Sequence, residues 1–190
     1  MSFGLCPADF QETSNNVCFK GFLKSSSFCQ ANELCEEEGS KRELRLHLPG
    51  VNSAQIPTKL LNSHNIFTSI TALLNRSAIL VDGWQFGDPG YSGYFIDNNI
   101  QQLPWATTYP SYATQALTIY QKGDFIDGVQ NQLLASYVVC ELSNRPVPGP
   151  VEMFHRDWPF KFQFMFITTS ETVGCFTNHP SDSLLKCAKE

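Results

Sequence analysis

The residues through which this chain of 190 amino acids could do covalent or metal chemistry are seven cysteines, four histidines and a scatter of acidic and amide side chains. A serine nucleophile on a sharp turn needs Gly-x-Ser-x-Gly, and Gly90-Tyr91-Ser92-Gly93 lacks that spacing. A zinc hydrolase needs two histidines one helical turn apart. None of His47, His64, His155 and His179 has such a neighbour, and no His-Glu-x-x-His occurs. No glycine-rich phosphate loop leads from a strand into a helix. A Cys and His pair assembles in space, so spacing alone leaves it open. These motifs offer catalysis no carrier, and neither a catalytic residue nor a cofactor is expected.

The cysteines carry a different chemistry. Cys6, Cys18, Cys29 and Cys35 crowd the first 35 residues, and Cys175 and Cys187 close the chain. Zinc is the competing use, but no Cys-x-x-Cys is present. The spacing favours oxidised pairs and an extracellular compartment over a reduced intracellular one. Asn75-Arg76-Ser77 is a glycosylation sequon, in keeping with export. No apolar run approaches the ~18 residues of a membrane helix, and Met1-Ser2-Phe3-Gly4 has neither the basic nor the apolar region of a leader. Export is therefore expected to depend on a leader that this sequence does not carry. The 13 basic residues are scattered among 18 acidic ones for a net charge of −5, the wrong balance for a nucleic-acid surface. Charged residues make up 16% and hydrophobic ones 42%, against usual values of about 25% and 45–50%, which excludes global disorder. The length suits one domain with an appendage.

Several elements must position these cysteines. Two short apolar stretches flank the polar run Gln11 to Asn16, which reads as a turn in a hairpin ending at Cys18. Ser25-Ser26-Ser27 can cap a helix over Phe28 to Glu38 that stops before Gly39. Phe28, Ala31, Leu34 and Cys35 share one face of it. Alternation at Leu44, Leu46 and Leu48 predicts a short strand ended by Pro49-Gly50. A second helix is expected over Ser53 to Leu61, with Pro57 awkward inside it. Ala78 to Val81 reads as a buried strand, and Ala116 to Tyr120 and Ser136 to Cys140 as two more. Residues 82 to 115 are rich in Gly, Pro, Asn and aromatics with little periodicity. Long irregular stretches of this kind are often functional.

Near Glu141 the composition changes. A first domain is expected over residues 1–142, followed by a proline-rich linker (143–152) and a C-terminal extension (153–190). In the extension Trp158, Phe160, Phe162, Phe164 and Phe166 alternate with Pro159, Lys161, Gln163 and Met165, placing five aromatics on one face of a strand. That face either docks on the domain or self-associates into a homo-oligomer. Cys175 and Cys187 most simply pair with each other. Cys29 is then a buried thiol or reaches a cysteine of the extension.

Cys6-Pro7 to Cys18-Phe19, Ala31 to Gly39 around Cys35, Ala78 to Trp84, and Tyr137-Val138-Val139-Cys140-Glu141 together resemble a C-type lectin-like domain of the long form, over roughly residues 6 to 142. The resemblance implies an α+β fold with two helices, short mixed or antiparallel sheets and a long irregular loop region. It also implies the pairs Cys6 with Cys18 and Cys35 with Cys140. Those pairs would close loops of 13 and 106 residues, worth roughly 3 and 4.7 kcal/mol by the chain-entropy model. The chain departs from the family at its inner disulfide, where Ala116 and a residue near Gln130 stand. The sugar-binding Glu-Pro-Asn or Gln-Pro-Asp tripeptide is Tyr109-Pro110-Ser111 here, and Trp-Asn-Asp is Phe125-Ile126-Asp127. One remaining carboxylate does not supply the six to eight oxygens that calcium takes, so no metal site is expected. Asp82, Asp88, Asp97, Asn98, Asn99 and Asp124 read as turn caps rather than as a different calcium site. The Tyr109-Pro110 bond is a candidate for cis.

What remains on the loop face is aromatic. Trp84 and Trp105 stand where the family places structural rings, while Tyr91, Tyr109 and Tyr112 sit beside Gly90, Pro110 and Ser111 as contact residues do. The expected ligand-binding set is Tyr91, Tyr94, Trp105, Tyr109, Tyr112 and Asp127. The expected function is calcium-independent recognition of a protein or glycoprotein, without catalysis, in a secreted or cell-surface protein. The rivals are a carbohydrate site built on aromatic stacking or a non-standard calcium site, and an assembly role for residues 158–166.

Overall fold

A computed structural model describes residues 6–61, 64–73, 79–89, 103–130 and 134–144. Tyr91, Tyr94, Asn75, the linker beyond Asn144, the aromatic run 158–166, Cys175 and Cys187 lie outside the described residues. Cys6 is bonded to Cys18, with Cα atoms 5.5 Å apart, and ties down a hairpin of β1 (Gln11–Glu12) and β2 (Cys18–Phe22). The turn is shorter than the polar run suggests, because Gln11 and Glu12 are themselves paired with Phe19 and Cys18. Thr13 Oγ1 accepts from the amides of Asn15 and Val17 and closes the turn, the local side-chain bond that Thr offers where a chain reverses.

Helix α1 (Phe28–Ser40) begins in a capping box: Ser27 Oγ accepts from Gln30 N while Gln30 Oε1 accepts from Ser27 N, so two otherwise orphaned amides are satisfied. Phe28, Ala31, Leu34 and Cys35 are buried as one face. The helix does not stop before Gly39. It runs through Gly39 to Ser40, and a Cβ at Gly39 would lie 2.6 Å from Leu44 O and 2.9 Å from Leu46 N. That glycine lets the returning chain press on the helix rather than ending it.

Strand β3 (Leu46–His47) is shorter than the leucine alternation predicts, since it pairs only at Leu46 with Leu142 and at His47 with Glu141. The predicted second helix is split. A 3-10 turn (Ser53–Gln55) gives way at Ile56, whose ψ of 123° is extended, and α2 (Thr58–Leu61) follows Pro57. Proline disfavours a helical conformation in the residue before it, which places the break there.

Strands β4 (Ile66–Thr71), β5 (Leu117–Gln121), β6 (Asp124–Gly128) and β7 (Val138–Leu142) complete two sheets with orders β1-β2-β7-β3 and β4-β5-β6, every named pair antiparallel. The β5–β6 hairpin turns on Lys122 (φ 52°) and Gly123 (φ 105°), both in the left-handed region that two-residue hairpin turns require. The Cys35–Cys140 disulfide, Cα atoms 5.6 Å apart, fastens α1 to β7. Phe28 of α1 meets Phe67 of β4 edge-on at 5.8 Å, so the helix face is shared by both sheets.

Ile79 to Val81 is not a buried strand. Asp82 N donates to Ile79 O in a turn, Ile79 and Leu80 are exposed, and Trp84 is buried below them. Leu80 O accepts from Trp84 Nε1 at 2.9 Å, so the run holds the indole's one donor, which a buried Trp must satisfy. Among the described residues no helix is long and apolar enough to cross a membrane.

Candidate functional site

The loop over residues 103–116 is laid on the β5–β6 hairpin. Ala106 N donates to Phe125 O at 2.8 Å and Phe125 N to Pro104 O at 2.9 Å, a short parallel bridge that aligns Trp105 with Phe125. Trp105 is half-buried and meets Trp84 edge-on at 5.0 Å. It packs as a wall of the core. Beyond it Thr108 takes φ 74° and the Tyr109–Pro110 bond is cis. This turn carries Tyr109 and Tyr112 outward, 37% and 66% exposed.

Asp127 of β6 holds that turn in place. Its carboxylate accepts from Ser111 N at 2.9 Å, Ser111 Oγ at 3.1 Å and Tyr112 N at 3.4 Å. With its amide nitrogen turned to the carboxylate, Gln115 adds donors at 2.8 and 3.0 Å to the two oxygens. Asp127 is 5% exposed, and a buried carboxylate needs such donors in place of water. Four donor groups on two oxygens make Asp127 a positioning group for the loop. Sequence reading placed Asp127 in the site but missed Ser111 and Gln115. The signal was their small polar spacing around Pro110.

A second polar cluster lies away from these tyrosines. Asp88 accepts from Val51 N at 2.6 Å and from Ser69 Oγ, with His47 Nδ1 4.0 Å away. It therefore ties the base of the long loop across the chain to β4, where a local turn cap was expected. Glu141 accepts from Asn52 Nδ2 at 2.6 Å through Oε1, while Oε2 is buried without a partner among the described residues. Burial pushes the Glu141 carboxyl up to about 7; the Asn52 bond opposes this, and the charge of Asp88 adds to it. Burial lowers the His47 imidazole against the pull of the Leu48 carbonyl and Asp88. His47, Asn52, Asp88 and Glu141 line a cavity of about 150 Å³, and a groove of about 350 Å³ runs between α1 and β3 past Asn32, Glu36 and Arg45. Neither is lined by a predicted contact residue.

Among the described residues no group of three His, Cys, Asp or Glu could hold a metal ion. Asp82, Asp88 and Asp124 are not gathered, and Asp97, Asn98 and Asn99 lie outside the described residues.

The fold is that of the C-type lectin-like domains, as the sequence resemblance implied. C-type lectin CEL-I from Cucumaria echinata superposes with a TM-score of 0.53 at 18% identity, covering 74% of this chain and 99% of that one. The C-type lectin domain of murine dendritic cell inhibitory receptor 2, solved with an N-glycan, gives 0.53 at 17% over 74% and 100%. A calcium-independent type II antifreeze protein gives 0.50 at 14% over 72% and 93%. No protein-family model matches the sequence. No curated protein matches it either. The disulfides fit the oxidising conditions outside the cell.

Proposed function

We propose that the chain is an extracellular recognition module that binds a protein or glycoprotein partner through its loop face, without calcium and without catalysis. The carrying observation is the state of Asp127. The one carboxylate left from the family's sugar-site motif is buried and occupied by Ser111, Tyr112 and Gln115, and what it presents outward is Tyr109 and Tyr112. Tyrosine gives large contact area with a polar tip at low entropic cost. Tyr91 and Tyr94, outside the described residues, belong to the same reading by type and by position in the loop sequence, and Trp105 packs behind the turn against Trp84. The N-glycan on the dendritic cell receptor domain supports a glycan-bearing partner. Glycosylation at Asn75 belongs to the same reading.

The test uses immobilised vertebrate and invertebrate ectodomains and a glycan array, each probed with the full chain in calcium and in chelator. Binding to ectodomains that persists in chelator and falls at least tenfold in the Tyr109→Ala, Tyr112→Ala double variant is the expected result. Glycan-only binding that chelator abolishes would overturn the reading. Glycan-only binding indifferent to chelator would replace it with a stacking lectin.

A further inference from the structure

Cys29, in the first turn of α1, is disulfide-bonded, while Cys6, Cys18, Cys35 and Cys140 are bonded to one another. The chain's other cysteines are Cys175 and Cys187. Around Cys29 the surface is unusual. Ser26 and Ala135 form a two-bond bridge at 2.8 and 2.9 Å; Leu23 lies three residues before Ser26, and Leu134 directly precedes Ala135. At 83% and 69% exposure these are the most exposed large hydrophobic side chains among the described residues. Gln130 Nε2, on the segment leading to Leu134, donates to Cys29 Sγ at 3.2 Å. The bridge and the Gln130–Cys29 bond thus bring the chain segments that carry the two exposed leucines to the first turn of α1.

We propose that Cys29 bonds to Cys175 or Cys187, in place of those two pairing with each other, and that this bridge seats the aromatic face of residues 158–166 on the Leu23–Leu134 patch. The occupant follows from where the chain runs. Residues 158–166 lie between β7, which ends at Leu142, and the tail cysteines, Phe166 preceding Cys175 by nine residues. With an anchor on each side, docking is intramolecular, at an effective concentration of about millimolar, which favours it over capture of a second copy. Five aromatics in alternation need a cover, and Leu23 and Leu134 are the most exposed large apolar side chains among the described residues. The bridge forms as the other two do. Two thiols lose two protons and pass two electrons to a disulfide carrier of the oxidising compartment, which leaves as a dithiol.

The test uses the full chain made in a secretory host, alkylated in acid without reduction, digested and mapped by mass spectrometry. A Cys29 peptide linked to the Cys175 or Cys187 peptide is expected. An alkylated Cys29, a Cys29 bonded to a second chain, or a Cys175–Cys187 link overturns the proposal. Docking is read by trypsin cleavage after Lys161 in the native chain. Leu23→Asp with Leu134→Asp, and separately Cys29→Ser, are each expected to speed that cut at least tenfold. A cut as fast in the native chain as in both variants refutes the docking, as does a sedimentation mass of two chains in which Leu23 and Leu134 are covered by the other copy. Both leucines are exposed, so the double variant does not threaten the core.

Discussion

Replacing Glu141 by Gln is expected to stabilise the protein at alkaline pH and to destabilise it modestly in acid. Glu141 is 5% exposed with one oxygen on Asn52 and the other without a partner among the described residues, and burial pushes its pKa up to about 7 from an ordinary 4.5. A carboxyl whose folded pKa is raised favours folding in its protonated form. Stability is full below the unfolded value of 4.5 and falls as pH rises through 7. The difference of about 2.5 units, at 1.36 kcal/mol each, makes the ionised group cost about 3 kcal/mol above pH 8. Gln keeps the acceptor for Asn52 Nδ2 and cannot ionise, but its new amide donors lack a partner, returning about 1 kcal/mol. E141Q is therefore expected to gain about 2 kcal/mol at pH 8.5 and to lose about 1 at pH 4. Urea unfolding of both proteins across that range reads the difference. A difference that does not change with pH, or an E141Q that is less stable at pH 8.5, would refute the assigned ionisation.

Asp127→Ala leaves Ser111 N, Tyr112 N and Gln115 without their acceptor and is expected to lower stability by about 3 kcal/mol by urea unfolding, with Tyr112 fluorescence more accessible to quencher. Removing the Cys35–Cys140 bridge by paired Ala substitution frees a loop with sequence separation 105 and is expected to cost about 4–5 kcal/mol, against about 3 for Cys6–Cys18, in the same assay. Gly39→Ala sets a methyl against Leu44 O and Leu46 N and is expected to destabilise by about 1–3 kcal/mol, where the same change in an open helix would stabilise.

Local signals made part of this fold legible. The serine cap and the i, i+3, i+4 spacing of Phe28, Ala31, Leu34 and Cys35 located α1, and Leu117–Gln121 and Val138–Leu142 fall within two residues of the expected strands. Strands β4 and β6 went unread. Ile66–Thr71 mixes buried Thr68 with Ile66 and Ile70, so its pattern has no clean period of two: Thr68 is buried because its hydroxyl pairs with Thr118 across the sheet. Such a pair is invisible until the partner strand is known. Ile79-Leu80-Val81 misled in the opposite direction, because an apolar run records hydrophobicity and not which side faces water. On the loop over residues 103–116 the structure exposes Tyr109 and Tyr112, as their setting beside Pro110 and Ser111 suggested. The role of Asp127 was not legible, since a carboxylate aimed at a ligand and one aimed at backbone amides look alike in sequence. The Asp88–Glu141 cavity joins residues far apart in the chain and left no local mark.

Calcium is the sharpest probe of the central claim. Thermal unfolding of the full chain is compared in millimolar calcium and in chelator, since an ion bound only by the native state at 100 times its Kd adds about 2.7 kcal/mol and raises Tm by several degrees. With Asp127 engaged by Ser111, Tyr112 and Gln115, the two melting curves are expected to coincide. A rise of several degrees in calcium, lost in Asp127→Asn, would mean that the carboxylate releases the loop for a metal ion, and calcium-dependent binding would replace calcium-independent recognition.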